Sequence, residues 1–245
     1  MVTAIAFGAL AAGSLLLGAF IGLGGALHKR AVGLVLGFGA GALISSVSFE
    51  LAEDGVQIGG ATAVGIGLAA GALTYYLGDG LIERRGKRPR PGAMQRRRES
   101  SSPGTALAFG AFLDGVPEQL VLGIGLAAGQ GVSVGLLGAI FVSNLPEAVG
   151  ASSGMHAAGR SRATILRLWL GVAVILTTAT AAGFAIADTA SDDLLGGVNG
   201  FAAGALIVML VDSMIPEATA QAGRTTGLVT TLGFALAAAM SGVAT

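Results

Sequence analysis

Stretches of apolar residues recur along the whole chain, and each is about as long as a helix that crosses a bilayer, which needs roughly 20 residues. Polar and charged residues collect in the segments between them. This pattern predicts an all-α polytopic membrane protein with eight transmembrane helices, called spans one to eight here. The predicted spans are residues 3–27, 31–52, 58–80, 104–128, 132–157, 163–187, 196–221 and 226–244.

The basic residues support this number of spans and predict their orientation. When the loops are numbered from an outside N-terminus, all 14 lysines and arginines fall on one side of the membrane. The positive-inside rule makes that side the cytoplasm, so both termini are predicted to lie outside a multi-pass protein of the plasma membrane. Trp169, close to Arg167, is interpreted as an anchor at the membrane interface.

The longest polar segment, residues 82–103, is rich in arginine, proline and serine and is predicted to be a basic cytoplasmic loop. It divides a single transmembrane domain into residues 1–81, with three spans, and residues 104–245, with five.

Composition limits the classes of protein that the chain can belong to. Hydrophobic residues make up 53% of the chain and charged residues 11%, with a mean hydropathy of +0.78. Soluble domains do not have this composition, and no nucleic-acid partner is predicted. The 42 glycines suit closely packed membrane helices. The chain has no cysteine, which excludes disulfides and thiolate metal sites.

Spans two and seven contain nearly the same octapeptide. Residues 37–44 read GFGAGALI, and residues 200–207 read GFAAGALI. By the loop count, span two runs outward and span seven runs inward. The chain is therefore predicted to contain an inverted repeat of three spans on each side of a central pair, a 3+2+3 arrangement. Such repeats are typical of transporters whose substrate site lies at the midplane.

Spans four and five each contain a Pro-Glu pair near the middle. Proline removes a backbone donor from a helix, and a carboxylate at that depth is costly unless it faces a partner, a cation or water. Because residues three and four apart share a helix face, Asp114 lies with Glu118, and Ser143 and Asn144 lie with Glu147. These five side chains are the predicted metal site.

Two facing glutamates repel each other, and either a divalent cation or a shared proton would relieve the repulsion. Kinked helices with protonated acids and no ligand are a further interpretation that the residues leave open. Other acids lie near span ends, where plain solvated loops would look the same. Glu50, Glu53 and Asp54 are candidates for an entrance, and Asp212 and Glu217 for an exit or a relay of ions or protons.

These features resemble the ZIP (zinc/iron permease) family of metal transporters over essentially the whole chain. The resemblance is carried by the segments 115–118 and 144–147, by Asp212–Ala218 on the penultimate span, and by eight spans with a long cytoplasmic loop after the third. It implies that Glu118 and Glu147 bridge or clamp a divalent metal ion, with Asn144 at a position that often holds a ligand. It also implies uptake toward the cytoplasm and a scaffold that can form a homodimer.

The chain departs from the family pattern in its ligands. The family usually has histidine four residues before the glutamate of span four, and often of span five, where this chain has Asp114 and Ser143. The remaining ligands are all oxygen atoms, which suit Mg²⁺, Mn²⁺ and other hard ions better than zinc. Zinc is the expectation from the family, and manganese or ferrous iron fits the ligands better.

The sequence therefore predicts a secondary transporter, not an enzyme, that carries a divalent metal ion across the lipid bilayer into the cytoplasm and holds no prosthetic group. Metal binding would release protons, because carboxylates bind metal in their deprotonated form. Two alternatives stay open: a proton-linked carrier of a non-metal solute, and a metal-dependent intramembrane enzyme. The absence of an H-E-x-x-H segment argues against the enzyme.

Overall fold

The computed structural model of the protein describes residues 1–24, 28–86, 103–127 and 134–243. They form helices and turns, and this part of the chain contains no strand. The α-helices are α1 (Val2–Leu23), α2 (Lys29–Ser45), α3 (Asp54–Gly86), α4 (Pro103–Ala127), α5 (Val134–Ala157), α6 (Arg162–Ile186), α7 (Asp192–Met209), α8 (Ile215–Ala222) and α9 (Thr225–Val243). Between them lie two π-helical segments, π1 (Ser46–Glu53) and π2 (Leu210–Met214), and a 3₁₀ turn at Ala187–Thr189.

The fold is all-α, as predicted, and its helices suit a membrane protein. Within the described ranges, the stretches long and apolar enough to cross a bilayer are Val2–Leu23, Lys29–Leu81, Arg162–Ile186 and Asp192–Ala222. The second has 53 residues, which is room for two crossings. The predicted span ends at 25–27, 128 and 132–133, and the loop residues 87–102, lie outside the described residues.

The junction between spans two and three differs from the polar loop predicted at residues 53–57. The chain stays helical there, and the break falls at Gly60, whose φ is 75° and ψ is 162°. A positive φ suits glycine, since a Cβ atom would clash with the backbone. Acidic residues alone do not end a helix, so the sequence pattern placed this turn too early.

The π-helical segments interrupt spans two and seven at corresponding places. π1 begins two residues after the octapeptide of span two, and π2 begins three residues after that of span seven. A π-helical turn changes the register of the backbone hydrogen bonds, and such segments are frequent at functional sites. Both repeated segments therefore lead into an irregular helical turn.

The helix contacts of the first half have counterparts in the second half. α4 and α5 pack against each other, α1 and α2 pack on α5, and α6 and α7 pack on α4. In addition, α2 packs on α9, and α3 packs on α7. The contacts of α1, α2 and α3 are equivalent to those of α6, α7 and α9, taken in that order.

Glycines at the same place in the two octapeptides make the same kind of contact. A Cβ atom at Gly41 would meet the carbonyl oxygen of Thr230 on α9, and a Cβ atom at Gly204 would meet that of Leu68 on α3. Only glycine allows helix backbones to approach this closely. The small residues of the octapeptides are thus explained by helix packing.

A second pair of glycine contacts involves the phenylalanines of the octapeptides. A Cβ atom at Gly233 would meet the carbonyl oxygen of Phe38, and a Cβ atom at Gly71 would meet that of Phe201. α9 therefore packs on α2 in the same register as α3 packs on α7. Positions on α3 and α9 can thus be compared residue by residue.

Trp169 is not at the surface of the bundle, so its interpretation as an interfacial anchor is wrong. Its side chain is 0% exposed, and its Nε1–H donates a hydrogen bond of 2.8 Å to Ser152 Oγ on α5. The indole needs a partner when buried, and the serine supplies it. The predicted role came from the neighbouring Arg167, which gives no information about which face of α6 meets α5.

Candidate cation site

The two Pro-Glu pairs lie on α4 and α5, which pack against each other. The side chains of Glu118, Asn144 and Glu147 are buried, with exposures of 4%, 0% and 0%. Asn144 and Glu147 are three residues apart and share one face of α5, which also contains Pro146 inside the helix. The structure therefore places three of the five predicted ligands inside the bundle rather than toward lipid.

Asn144 is a buried amide with unused hydrogen-bonding capacity. Its Oδ1 and Nδ2 atoms are both buried, and neither has a hydrogen-bond partner among the described residues. An unsatisfied buried polar group costs about 1–3 kcal/mol. Such groups are rare in folded proteins, and binding of an ion or water is one of the usual reasons for them.

The other two predicted ligands and one predicted entrance residue have side chains that the structure does not describe: Asp114, Ser143 and Glu50. Among the described side chains, no group of three or more His, Cys, Asp or Glu residues could hold a metal ion. The described part of the predicted site thus consists of two carboxylates and one amide.

These carboxylate and amide groups have the chemistry of ligands for a hard cation. An ionised carboxylate inside a low-dielectric bundle is stable only if opposite charge or hydrogen bonds compensate for its lost hydration. Carboxylate and amide oxygens are the ligands that hard divalent cations prefer. A dication would offset the charge of Glu118 and Glu147 together, and the Asn144 oxygen would add a neutral ligand.

Gln119, the residue after Glu118, is a buried polar side chain that sequence reasoning missed. It is 0% exposed, and its Oε1 accepts a hydrogen bond from the hydroxyl of Thr180 on α6. Its Nε2 has no hydrogen-bond partner among the described residues. The contact links the turn of α4 that carries Glu118 to α6. The sequence signal that could have identified Gln119 is a glutamine inside an apolar span.

The acidic residues predicted to form an entrance and an exit for cations differ in burial. Glu53 at the end of π1 and Asp54 at the start of α3 are exposed, as is Asp212 in π2. Glu217 is half-buried, and its carboxylate accepts a hydrogen bond from Gln221 one turn later in α8. These positions are compatible with an entrance and an exit, and these roles remain predictions.

Tyr75 on α3 is the other polar residue that the sequence did not single out. Its side chain is 0% exposed, and its hydroxyl lies 3.2 Å from Ser213 Oγ in π2. The carboxylates of Asp79, Glu147 and Asp212 lie close enough to act on this hydroxyl electrostatically. The Tyr75 hydroxyl is therefore within electrostatic range of Glu147 on α5 and of Asp212 in π2.

Comparison with known proteins agrees with a transporter-like chain. No protein-family model matches the sequence. A protein of Arabidopsis thaliana described as a "putative zinc transporter" is 28% identical to the chain over 199 residues. The match covers 80% of the chain but 31% of the relative, so the chain spans about a third of the relative's length. The ZIP family assignment stays a prediction from the sequence motifs.

Proposed function

We propose that the protein is a transmembrane carrier that moves a divalent metal cation toward the cytoplasm, with Glu118, Asn144 and Glu147 among its ligands. The observation that carries this proposal is the burial of the three side chains on two contacting helices, together with the unpartnered amide of Asn144. A cation bound at this amide would offset a cost that packing alone leaves unexplained.

Ligand chemistry indicates the class of substrate. The chain has no cysteine, and its two histidines, His28 and His156, are both exposed. Oxygen ligands suit hard ions such as Mn²⁺, and a site without nitrogen or sulfur ligands lacks the donors that select Zn²⁺, so Mn²⁺ and Fe²⁺ are candidates. Zn²⁺ remains a candidate because zinc also accepts carboxylate ligands, and because the Arabidopsis relative is described as a zinc transporter.

The exposed acids extend the site toward the two faces of the membrane. In this scheme Glu53 and Asp54 attract cations on the outer face, and Asp212 receives them on the inner side. Carboxylates around an opening raise the local concentration of cations, an effect that salt screens. Glu217 is the second inner acid, in the segment that follows π2.

The architecture that fits this function is eight spans in a 3+2+3 arrangement, with the outer spans forming inverted repeats around α4 and α5. The matching helix contacts, the matching glycine contacts and the corresponding positions of π1 and π2 support it. The basic residues support outside termini and a cytoplasmic loop at 82–103. Transporters of this kind move one bundle against another around a site at the repeat interface.

Uptake by the purified protein in liposomes tests the proposal. Mn²⁺, Fe²⁺, Zn²⁺, Co²⁺, Cd²⁺ and Mg²⁺ are offered one at a time, with protein-free liposomes as the control. We expect protein-dependent uptake of at least one ion, and the same ion should raise the melting temperature of the detergent-purified protein, because it binds the folded state.

If none of the six ions is taken up and none raises the melting temperature, the cation-carrier proposal is overturned. A proton gradient that drives uptake of a non-metal solute would then make the acids a proton relay. Hydrolysis by the purified protein would point instead to the intramembrane enzyme.

A further inference from the structure

The side chain of Tyr75 connects three helical segments at one buried point. Its hydroxyl lies 3.2 Å from Ser213 Oγ in π2, and its ring centroid lies 6.1 Å from that of Phe109 on α4. A Cβ atom at the next residue of α4, Gly110, would lie 3.3 Å from the Tyr75 ring and would also meet Met209 of α7. The ring is thus enclosed by α3, α4 and α7.

In the proposed topology, this point lies on the cytoplasmic side of the proposed cation site. Gly110 precedes Glu118 by eight residues, or about 12 Å along a helix at 1.5 Å per residue, toward the end of α4 that follows the basic loop. The carboxylates of Glu147 and Asp212 both act electrostatically on the Tyr75 hydroxyl. The Tyr75 hydroxyl is thus within electrostatic range of the acids at both ends of the proposed route, Glu147 and Asp212.

The residue that corresponds to Tyr75 in the other half of the bundle is not aromatic. Tyr75 lies four residues after Gly71, and Ala237 lies four residues after Gly233, the glycine that makes the matching contact on α9. The side chain of an alanine cannot fill the space of a tyrosine ring or donate a hydrogen bond. At this pair of matching positions, the aromatic side chain therefore occurs on α3 and not on α9.

The hydrogen-bond partner of Tyr75 is in a segment suited to rearrangement. Ser213 lies in π2, where the register of backbone hydrogen bonds differs from that of the α-helices on both sides. Access changes in carriers require elements with two discrete packings. Loss of one side-chain hydrogen bond and a change of register in π2 would release the ring without unfolding span seven.

We propose that Tyr75 is a positioning residue of an inner gate: its ring closes the route from Glu147 to Asp212, and its hydrogen bond to Ser213 holds π2 in the closed arrangement. This inference rests on the proposed cation carriage for its role in transport. The closed gate itself is a property of the bundle that exists without any cation.

Labelling of an introduced thiol tests the gate directly, because the natural chain has no cysteine. Met209→Cys places a thiol at a 0% exposed position beside Tyr75 and Gly110. A membrane-impermeant thiol reagent is applied to inside-out vesicles that carry this variant, alone and combined with Tyr75→Phe or Ser213→Ala. Both changes remove the hydrogen bond with little change of volume.

We expect each change to raise the labelling rate about three- to tenfold, the range for loss of one buried hydrogen bond. The variant that combines Tyr75→Phe with Ser213→Ala should not exceed the larger single effect, because both changes remove the same bond. Ser152→Ala is the matched control, since it removes the hydrogen bond of another buried aromatic residue, Trp169. Its labelling rate should equal that of Met209→Cys alone.

Transport measurements distinguish an effect on the gate from a general loss of helix packing. With Mn²⁺ supplied outside the liposomes, Tyr75→Phe and Ser213→Ala should change the maximal uptake rate but keep the Mn²⁺-dependent rise in melting temperature, because the ligands stay in place. Unchanged labelling in both variants, or an equal rise with Ser152→Ala, overturns the gate. A different combination of results would overturn the carrier proposal and leave the gate in place. In that case the labelling rates rise as expected, but the unaltered protein takes up none of the six ions.

Discussion

α5 carries two buried polar groups that differ in how completely they are hydrogen-bonded. Ser152 accepts a hydrogen bond from Trp169 of α6, and both side chains are 0% exposed. Asn144, two turns earlier on the same helix, is equally buried, and neither of its amide atoms has a partner among the described residues. Burial in an apolar bundle therefore does not distinguish a structural polar group from a candidate ligand.

Ser152 and Asn144 differ instead in how far their hydrogen-bonding capacity is used. A satisfied pair such as Ser152 and Trp169 fixes one helix against another and needs nothing more. A polar group with unused bonding capacity beside a buried carboxylate costs stability in the protein alone, and a bound cation would recover that cost. The difference predicts that changes at the two places will separate transport from stability.

The largest effect is expected from the carboxylates of the candidate site. Glu118→Gln or Glu147→Gln keeps the side-chain shape and removes one charge, so cation uptake should fall about 100-fold or more, as when a buried charge loses its partner. Initial uptake rates in liposomes measure this, with the melting temperature showing that the variants are folded. Wild-type uptake by either variant would contradict the ligand assignment.

Asn144→Leu should separate affinity from stability. An apolar side chain of similar volume removes an unpartnered buried amide, which is neutral or stabilising for the fold. The same change removes the proposed ligand oxygen, so the concentration for half-maximal uptake should rise about tenfold. Uptake titrations and melting temperatures measure both, and a loss of stability with unchanged uptake would make Asn144 a structural residue.

Ser152→Ala should have the opposite outcome. The indole N–H of Trp169 would be left buried without its acceptor, at a cost of about 1–3 kcal/mol, so the melting temperature should drop by several degrees. Uptake kinetics of the protein that remains folded should match those of the unaltered chain. If uptake affinity fell as it does in Asn144→Leu, the distinction between the two groups would not hold.

The smallest effect is expected from the exposed acids. Glu53→Gln and Asp54→Asn should lower uptake less than about twofold at physiological salt, because exposed charges are screened. The effect should grow at low ionic strength, where the attraction reaches further. Uptake rates over a series of salt concentrations measure it, and a salt-independent loss as large as that of Glu147→Gln would place these acids among the ligands.

The sequence predicted the features that depend on local composition. A run of apolar residues long enough to cross a bilayer is helical, because the α-helix is the conformation in which a single segment satisfies its own backbone hydrogen bonds in lipid. The Pro-Glu pairs were found because a glutamate inside such a run is exceptional. The side chains of Glu118, Asn144 and Glu147 are buried among the helices, as expected of polar groups inside such a run.

Tertiary structure decided which polar groups meet. Tyr75 and Ser213 are 138 residues apart, and Gln119 and Thr180 are 61 apart, so no local pattern could relate them. Trp169 illustrates the same limit, since a tryptophan near a span end looks the same in the sequence whether it faces lipid or a serine on α5. Membrane insertion depends on the hydrophobicity of each segment, which the sequence states directly, whereas side-chain partners depend on how separate helices pack.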